Sequence, residues 1–245
     1  SVSASATGAE IHGTFSFYNG WQGCDRGHGH GLYIQSIDPG YATVADSFFY
    51  ANYALGVQAT GNTNVVDNLS FVGNAIFLNG APSRKHQGNF LLGPVSGQAR
   101  NPMIISNSVF DLDGSSSDSN IGYSGGAINA TVIGNYFQTS VHFSEHNEGL
   151  VLLSNTFIGE ALFLDEANFP HNTFHDDLPT NNVVMIRTNH YMPGWGAVIV
   201  YNWEKLNEVE VDLGEIIPLG TPFEVRNTQD ILGPPLLVFD PYLGE

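Results

Sequence analysis

Cysteine and basic residues are scarce in this chain, and each scarcity excludes something. A single cysteine among 245 residues rules out a disulfide within the chain. Seven Lys and Arg stand against 24 Asp and Glu, a formal charge of −17. Such a chain repels phosphate backbones and anionic bilayers, which argues against nucleic-acid binding and against membrane association. There is no run of about 18 apolar residues, so no membrane insertion by a helix is expected. No signal-peptide pattern is visible either. The chain opens at Ser1, without methionine, in a stretch that soon becomes strand-like; this reads as a mature or excised piece of a longer product. Charged residues make up only 13%, so Asn, Ser, Thr, Gln and Gly must supply much of the polar surface.

What is plentiful points to strands. Hydrophobic residues reach 42%, and 28 Gly and 12 Pro mark frequent turns. That profile favours an all-β architecture of many short strands. One motif recurs: an apolar residue, a small or polar residue, Asn, one or two residues, then Phe. Val66–Phe71 (VDNLSF), Ile105–Phe110 (ISNSVF), Ile133–Phe137 (IGNYF) and Leu153–Phe157 (LSNTF) carry it. Val44–Phe48 (VADSF) and His171–Phe174 (HNTF) are looser copies, and Ile11–Phe15 (IHGTF) is a degenerate first one. Spacings of roughly 20 to 40 residues suit the coils of a parallel β-helix, with the extra length in loops. Coils stacked about 4.8 Å apart bury a continuous core that no coil can bury alone, and Asn at the turn can ladder its amide to the coils above and below. A β-sandwich with coincidental matches is the alternative, and the recurrence argues against it.

Each motif is followed by a second strand-like run: Gly31–Gln35, Ala54–Gln58, Asn89–Gly93, Asn120–Ser124, Ser140–Ser144 and Glu160–Leu164. Alternation assigns Leu32/Ile34, Leu55/Val57, Phe90/Leu92, Ile121/Tyr123 and Val141/Phe143 to the inside. Tyr33, Gln35, Gln58 and His142 then face outward among Gly and Ser, a flat polar face that suits a sugar chain, or that is simply solvated. From Asn182 the pattern changes. Val183–Arg187, Gly196–Tyr201, Glu208–Asp212, Pro222–Arg226 and Leu236–Phe239 read as antiparallel strands. The expected division is residues 1–181 as the β-helix and 182–245 as a small β-sandwich-like module that caps its last coil and covers an open sheet edge.

Tyr18–Gly23 running into Arg26–Gln35, the Asn–Phe coils, and the tail Gly196–Trp203 with Phe223–Asn227 carry a likeness. On them, the chain resembles the right-handed parallel β-helix repeat-containing proteins of bacteria over most of its length. The resemblance implies a right-handed parallel β-helix of about six to seven coils followed by the antiparallel module. Many such proteins are secreted and act on polysaccharides, which implies a secreted or cell-surface location and a polysaccharide partner. The same fold hosts lyases, hydrolases, epimerases and passive adhesins, so the resemblance fixes fold better than function. This chain departs from the members by starting late, without their additional N-terminal coils.

Two loops hold the densest chemistry. Three of seven Lys and Arg (Arg26, Arg84, Lys85) and three of nine His (His28, His30, His86) fall in Gly23–Gly31 and Ser83–Gly88. Each loop precedes the second strand of its coil, so stacking places both on one edge of one face, about 10 Å apart. A positive island beside a flat polar face suits an acidic glycan. In a β-elimination by a polysaccharide lyase, Arg26 or Arg84 would neutralise a uronate carboxylate, and Lys85 or His30 would take the C5 proton, with His86 alongside. Glycoside hydrolysis is the other enzymatic reading. Trp21 offers a stacking platform, and Tyr33, Gln35, Gln58, Arg84 and His142 complete the substrate-binding set. The competing view is that these cations only pair with Asp25 and neighbouring carboxylates.

A metal reading also competes. In extended chain His28 and His30 point the same way, and His86 or Cys24 can complete a zinc or copper site. Calcium at Asp111, Asp113 and Asp118 is a further option beside a plain solvated acidic loop. No cofactor is required by the glycan reading. A different class of function is structural: the open first coil, Ala9–Asn19, is a template for end-to-end stacking into a homo-oligomer or fibre.

Overall fold

The computed structural model describes residues 7–62, 66–84, 88–111 and 118–244. Lys85, His86 and Asp113 lie outside the described residues. The chain divides into two compact units, Ser1–Asp177 and Leu178–Glu245.

Three parallel sheets build the first unit. Sheet one contains Ala9–His12, Ala42–Ala45, Leu69–Val72, Met103–Ile105, Thr131–Ile133 and Val151–Leu153. Sheet two runs from Phe15–Phe17 through Phe48–Tyr50, Ala75–Phe77, Ser108–Phe110, Tyr136–Phe137 and Thr156–Phe157 to Thr173–Phe174. Sheet three stacks Leu32–Ile34, Val57–Ala59, Phe90–Leu92, Ser119–Ile121, Val141–Phe143 and Ala161–Leu162. The chain visits one, two and three in rotation six times, then passes from Ala161–Leu162 directly to Thr173–Phe174 of sheet two, and every neighbour within these sheets is parallel. This is an all-β, β-helix-like architecture. Inward residues from all three sheets, among them Ile34, Val44, Phe49, Phe71, Phe90, Ile104, Phe137 and Phe143, form one buried core. Each such side chain contributes about 1.5–3 kcal/mol when fully buried.

A two-residue corner joins sheet one to sheet two. Its first residue is left-handed: Gly13, Asp46, Gly73, Ser106, Gly134 and Ser154 all have φ between 46° and 67°. Glycine takes that conformation freely, and Asp and Ser bear its cost. From the second corner onward the second residue is buried, first Ser47 and then Asn at every later corner. Asn74, Asn107, Asn135 and Asn155 each donate Nδ2 to the Oδ1 of the next rung, ending on Asn172, at 2.9, 3.0, 2.9 and 2.8 Å. Each rung's backbone N–H donates to the same oxygen. A second ladder, Asn19–Asn52–Asn79–Asn89, lies between sheets two and three at 2.8, 2.9 and 2.9 Å. Buried polar corners are thereby satisfied coil by coil.

Three sequence expectations need correction. Val66–Phe71 is out of phase: Asn68 sits before sheet one, held to Asp38 and Gly40, and the true rung of that coil is Asn74. The inward pair of the fourth strand of sheet three is Ser119 and Ile121, both fully buried, whereas Tyr123 is 40% exposed beyond the strand end. Glu208–Asp212 forms no strand. Its alternation is real, but among the described residues it has no ladder partner, and side-chain pattern without backbone pairing does not make a sheet.

Within the second unit, Val183–Thr188 pairs antiparallel with Gly196–Tyr201, and Phe223–Val225 with Leu237–Phe239. A small core of Ile216, Ile217 and Tyr242 packs with Ile186, Leu213 and Phe223.

Candidate functional site

The outer face of sheet three carries one unbroken row. Register places Tyr33 beside Gln58, then Leu91, Asn120, His142 and Leu162. All are half-buried, as expected where a pleated strand alternates sides. The Tyr33 hydroxyl donates to the Thr60 carbonyl at 3.1 Å, and Gln35 Nε2 donates to both that hydroxyl and that carbonyl, which fixes the ring along the sheet. Gln58 Oε1 is buried without a donor among the described residues.

Beside the first strands of this sheet stands a short hairpin, Trp21–Gln22 paired with Gly27–His28 and closed by a Gly23 N–H to Arg26 carbonyl bond of 2.8 Å. The indole of Trp21 lies flat on the His28 ring, with centroids 5.0 Å apart and planes 15° from parallel. Asp25 Oδ1 fixes His28 Nε2 at 2.9 Å. That hydrogen bond, with backbone N–H donors, holds the Asp25 carboxyl below the usual carboxylate range. The other face of Trp21 is open, the residue being 62% exposed. Arg26 extends from the turn, its Nε 3.8 Å from Asp25 Oδ2.

The hairpin is seated on the coils by Gly27. A methyl group there would overlap the Tyr53 carbonyl oxygen and lie 2.7 Å from the Ser83 side chain. Arg26 and Arg84 are thus the sequence neighbours of two residues in direct contact. Arg84 itself has φ 53° and closes the Ala81–Ser83 turn by donating its N–H to Ala81 at 3.0 Å. Lys85 and His86, the other members of the expected island, fall outside the described residues.

His30 differs from His28 in every respect. Gly29, at φ 107°, breaks the extended run between them, so the two rings meet different surroundings. His30 Nδ1 accepts the Leu55 N–H at 3.2 Å, which leaves Nε2 as the protonated donor of the neutral ring. Burial, then the charges of Arg26 and His28, push its pKa from 6.5 down to about 4. The unfolded chain therefore takes up a proton near pH 6.5 that the folded chain refuses until about pH 4. We expect the stability advantage of the wild type over His30→Gln to be constant above pH 6.5 and to shrink as pH falls from 6.5 towards about 4. Urea titrations of both proteins at several pH values check this, and parallel stability curves would refute it.

At the other end of the row His142 Nε2 meets Asp118 Oδ2 at 3.0 Å. Phe163, 63% exposed, leans on the same imidazole with centroids 6.0 Å apart. Neither partner was singled out for this role in the sequence, because the pairing depends on which strands are neighbours. Asp111 reaches back to the preceding coil, accepting from the Leu78 N–H and Asn89 Nδ2. Among the described residues no group of three or more His, Cys, Asp or Glu is placed to hold a metal ion.

The arrangement offers an open indole face, two arginines and a carboxylate-bound imidazole beside one sheet. No family model, no curated protein and no solved structure matches the chain.

Proposed function

We propose that this is a polysaccharide-binding protein of the cell exterior, which takes a glycan along the outer face of sheet three. The observation that carries the reading is Trp21: an indole clamped on one face by His28 and open on the other. Sugar rings stack their C–H faces on such platforms, and the clamp removes the entropy cost of ordering the side chain on binding. Arg26 and Arg84 favour a uronate-containing chain, since each can pair with a carboxylate. We also propose the finer fold, a right-handed parallel β-helix of about six to seven coils with a sandwich-like C-terminal module. The regular rotation of the chain through three parallel sheets supports the first part, and the two antiparallel pairs of the second unit support the second.

Binding is measured by calorimetry against pectin, alginate and glycosaminoglycan fragments, with neutral glucan and xylan oligosaccharides alongside. We expect saturable binding to a uronate chain that weakens with added salt. Trp21→Ala should reduce that affinity at least about tenfold, ~1.4 kcal/mol. Silence across the whole panel, or affinity untouched by Trp21→Ala, would dismiss the proposal. Salt-independent binding confined to neutral glycans would keep the platform and remove the role of the arginines.

A further inference from the structure

The second unit presents an apolar surface that its own core does not use. Leu232, Leu236, Leu237, Val238, Phe239 and Leu243 are 89, 63, 54, 70, 43 and 78% exposed. Alternation puts Leu237 and Phe239 on one side of their strand and Val238 on the other, so exposed apolar side chains flank its outer edge on both faces. The surface is held rigidly. Arg226 Nη1 donates to the Ile231 and Gly233 carbonyls at 3.3 and 2.8 Å, which ties the Leu232 turn to the hairpin. Phe223 and Phe239 stack at 4.7 Å across it.

Among the described residues the strand Leu237–Phe239 has a single neighbour, Phe223–Val225. A two-stranded pair with an uncovered apolar edge is marginal alone and is a template for another strand. We infer that two copies of this chain associate through Leu237–Phe239 and its flanking leucines. Charge favours a copy as the occupant. The chain carries −17 in all, yet no charged residue lies between Asp230 and Asp240. The one carboxylate opposite Val238 in the hairpin, Glu224, is neutralised by Arg226. Two such strips bring no like charges face to face, and an edge strand running antiparallel to its own copy about a two-fold axis is self-complementary.

Sedimentation velocity of the whole chain from ~1 to ~100 µM tests the inference. We expect a concentration-dependent dimer that tightens in 0.5 M NaCl, on the order of several-fold, because salt screens repulsion between two acidic bodies without weakening apolar contact. Val238→Glu should leave a monomer throughout, with its far-UV circular dichroism unchanged. If that variant loses its strand signal, Val238→Thr, which keeps the β-branched shape, should weaken dimerisation on the order of fivefold. A wild type that stays monomeric to ~100 µM overturns the inference. So does association that survives substitution at Val238, which would place the interface elsewhere, for example at the first coil.

Discussion

Asn107→Ala should destabilise the protein by about 4 kcal/mol, among the largest losses from any single truncation in the corner ladders. Asn107 is 1% exposed and serves five hydrogen bonds through its side chain. Oδ1 accepts from the Asn74 N–H and Nδ2, and Nδ2 donates to Asn135 Oδ1 and to the Phe71 and Ile105 carbonyls. Alanine removes the shared acceptor and the shared donor together. Two donors on Asn74 and the Phe71 carbonyl are then stranded where water has no access, and each orphaned group costs on the order of 1–3 kcal/mol. Asn107→Asp is predicted to be worse at neutral pH, since a carboxylate oxygen would face the Asn135 and Phe71 oxygens in place of a donor. Urea denaturation followed by circular dichroism gives the number. A loss below ~1 kcal/mol would mean that the coils relax around the gap and that the ladder is not a principal tie.

Gly27→Ala should weaken glycan binding as much as loss of the indole itself, at least about tenfold, although residue 27 touches no ligand in the proposed arrangement. The overlap is with a backbone carbonyl, that of Tyr53, which belongs to the second coil and cannot swing aside as a side-chain tip can. The hairpin must lift instead, carrying Trp21, Arg26 and His28 away from Ser83 and Arg84. Overpacking of this kind typically costs ~1–3 kcal/mol. Here most of it should appear as local detachment, with the stacked sheets intact. The Trp21 indole N–H resonance should shift towards its unfolded position while the far-UV spectrum is preserved. Wild-type affinity in Gly27→Ala would show that the hairpin tolerates displacement and that its seating does not organise the face.

Much of the scaffold was legible in the sequence, because a repeated corner imprints itself on the chain. The Asn of IGNYF and LSNTF is the ladder rung, and the parallel sheets follow from the repetition. What blurred the register was the loose "one or two residues" before Phe. Phe137, two positions after its Asn, joins the central core with Phe49 and Ile76. Phe110, three positions after its Asn, falls on the opposite face and stacks on Phe77 at 4.6 Å, which in turn stacks on Tyr50 at 5.1 Å. One residue of slip reverses the side in a strand, so the two kinds of Phe build two different stacks, and VDNLSF, with Phe three positions after its Asn, imitates the second kind although Phe71 lies in sheet one.

The candidate site was less legible for a different reason. The two loops could be matched by their place in the coil, and the row Tyr33–Gln58–His142 followed from alternation. The separation of His28 from His30 rests on the backbone of Gly29. The pairing of His142 with Asp118 rests on adjacency of strands far apart in the chain. Neither leaves a local mark.

The corner between sheets one and two also governs how such a chain can change over evolutionary time. It holds to two residues in coil after coil, from Gly13–Thr14 to Ser154–Asn155, so an insertion there would break a rung and mis-set every coil above it. The stretch leading into sheet three is free of that discipline. It spans Tyr18 to Gly31 in the first coil but only Gln138, Thr139 and Ser140 between Phe137 and Val141. Recognition loops can therefore be lengthened, exchanged or lost along one margin of the sheet while the winding stays in register. Novelty in this protein has a designated place to accumulate, and it is the margin on which Trp21 and Arg84 stand.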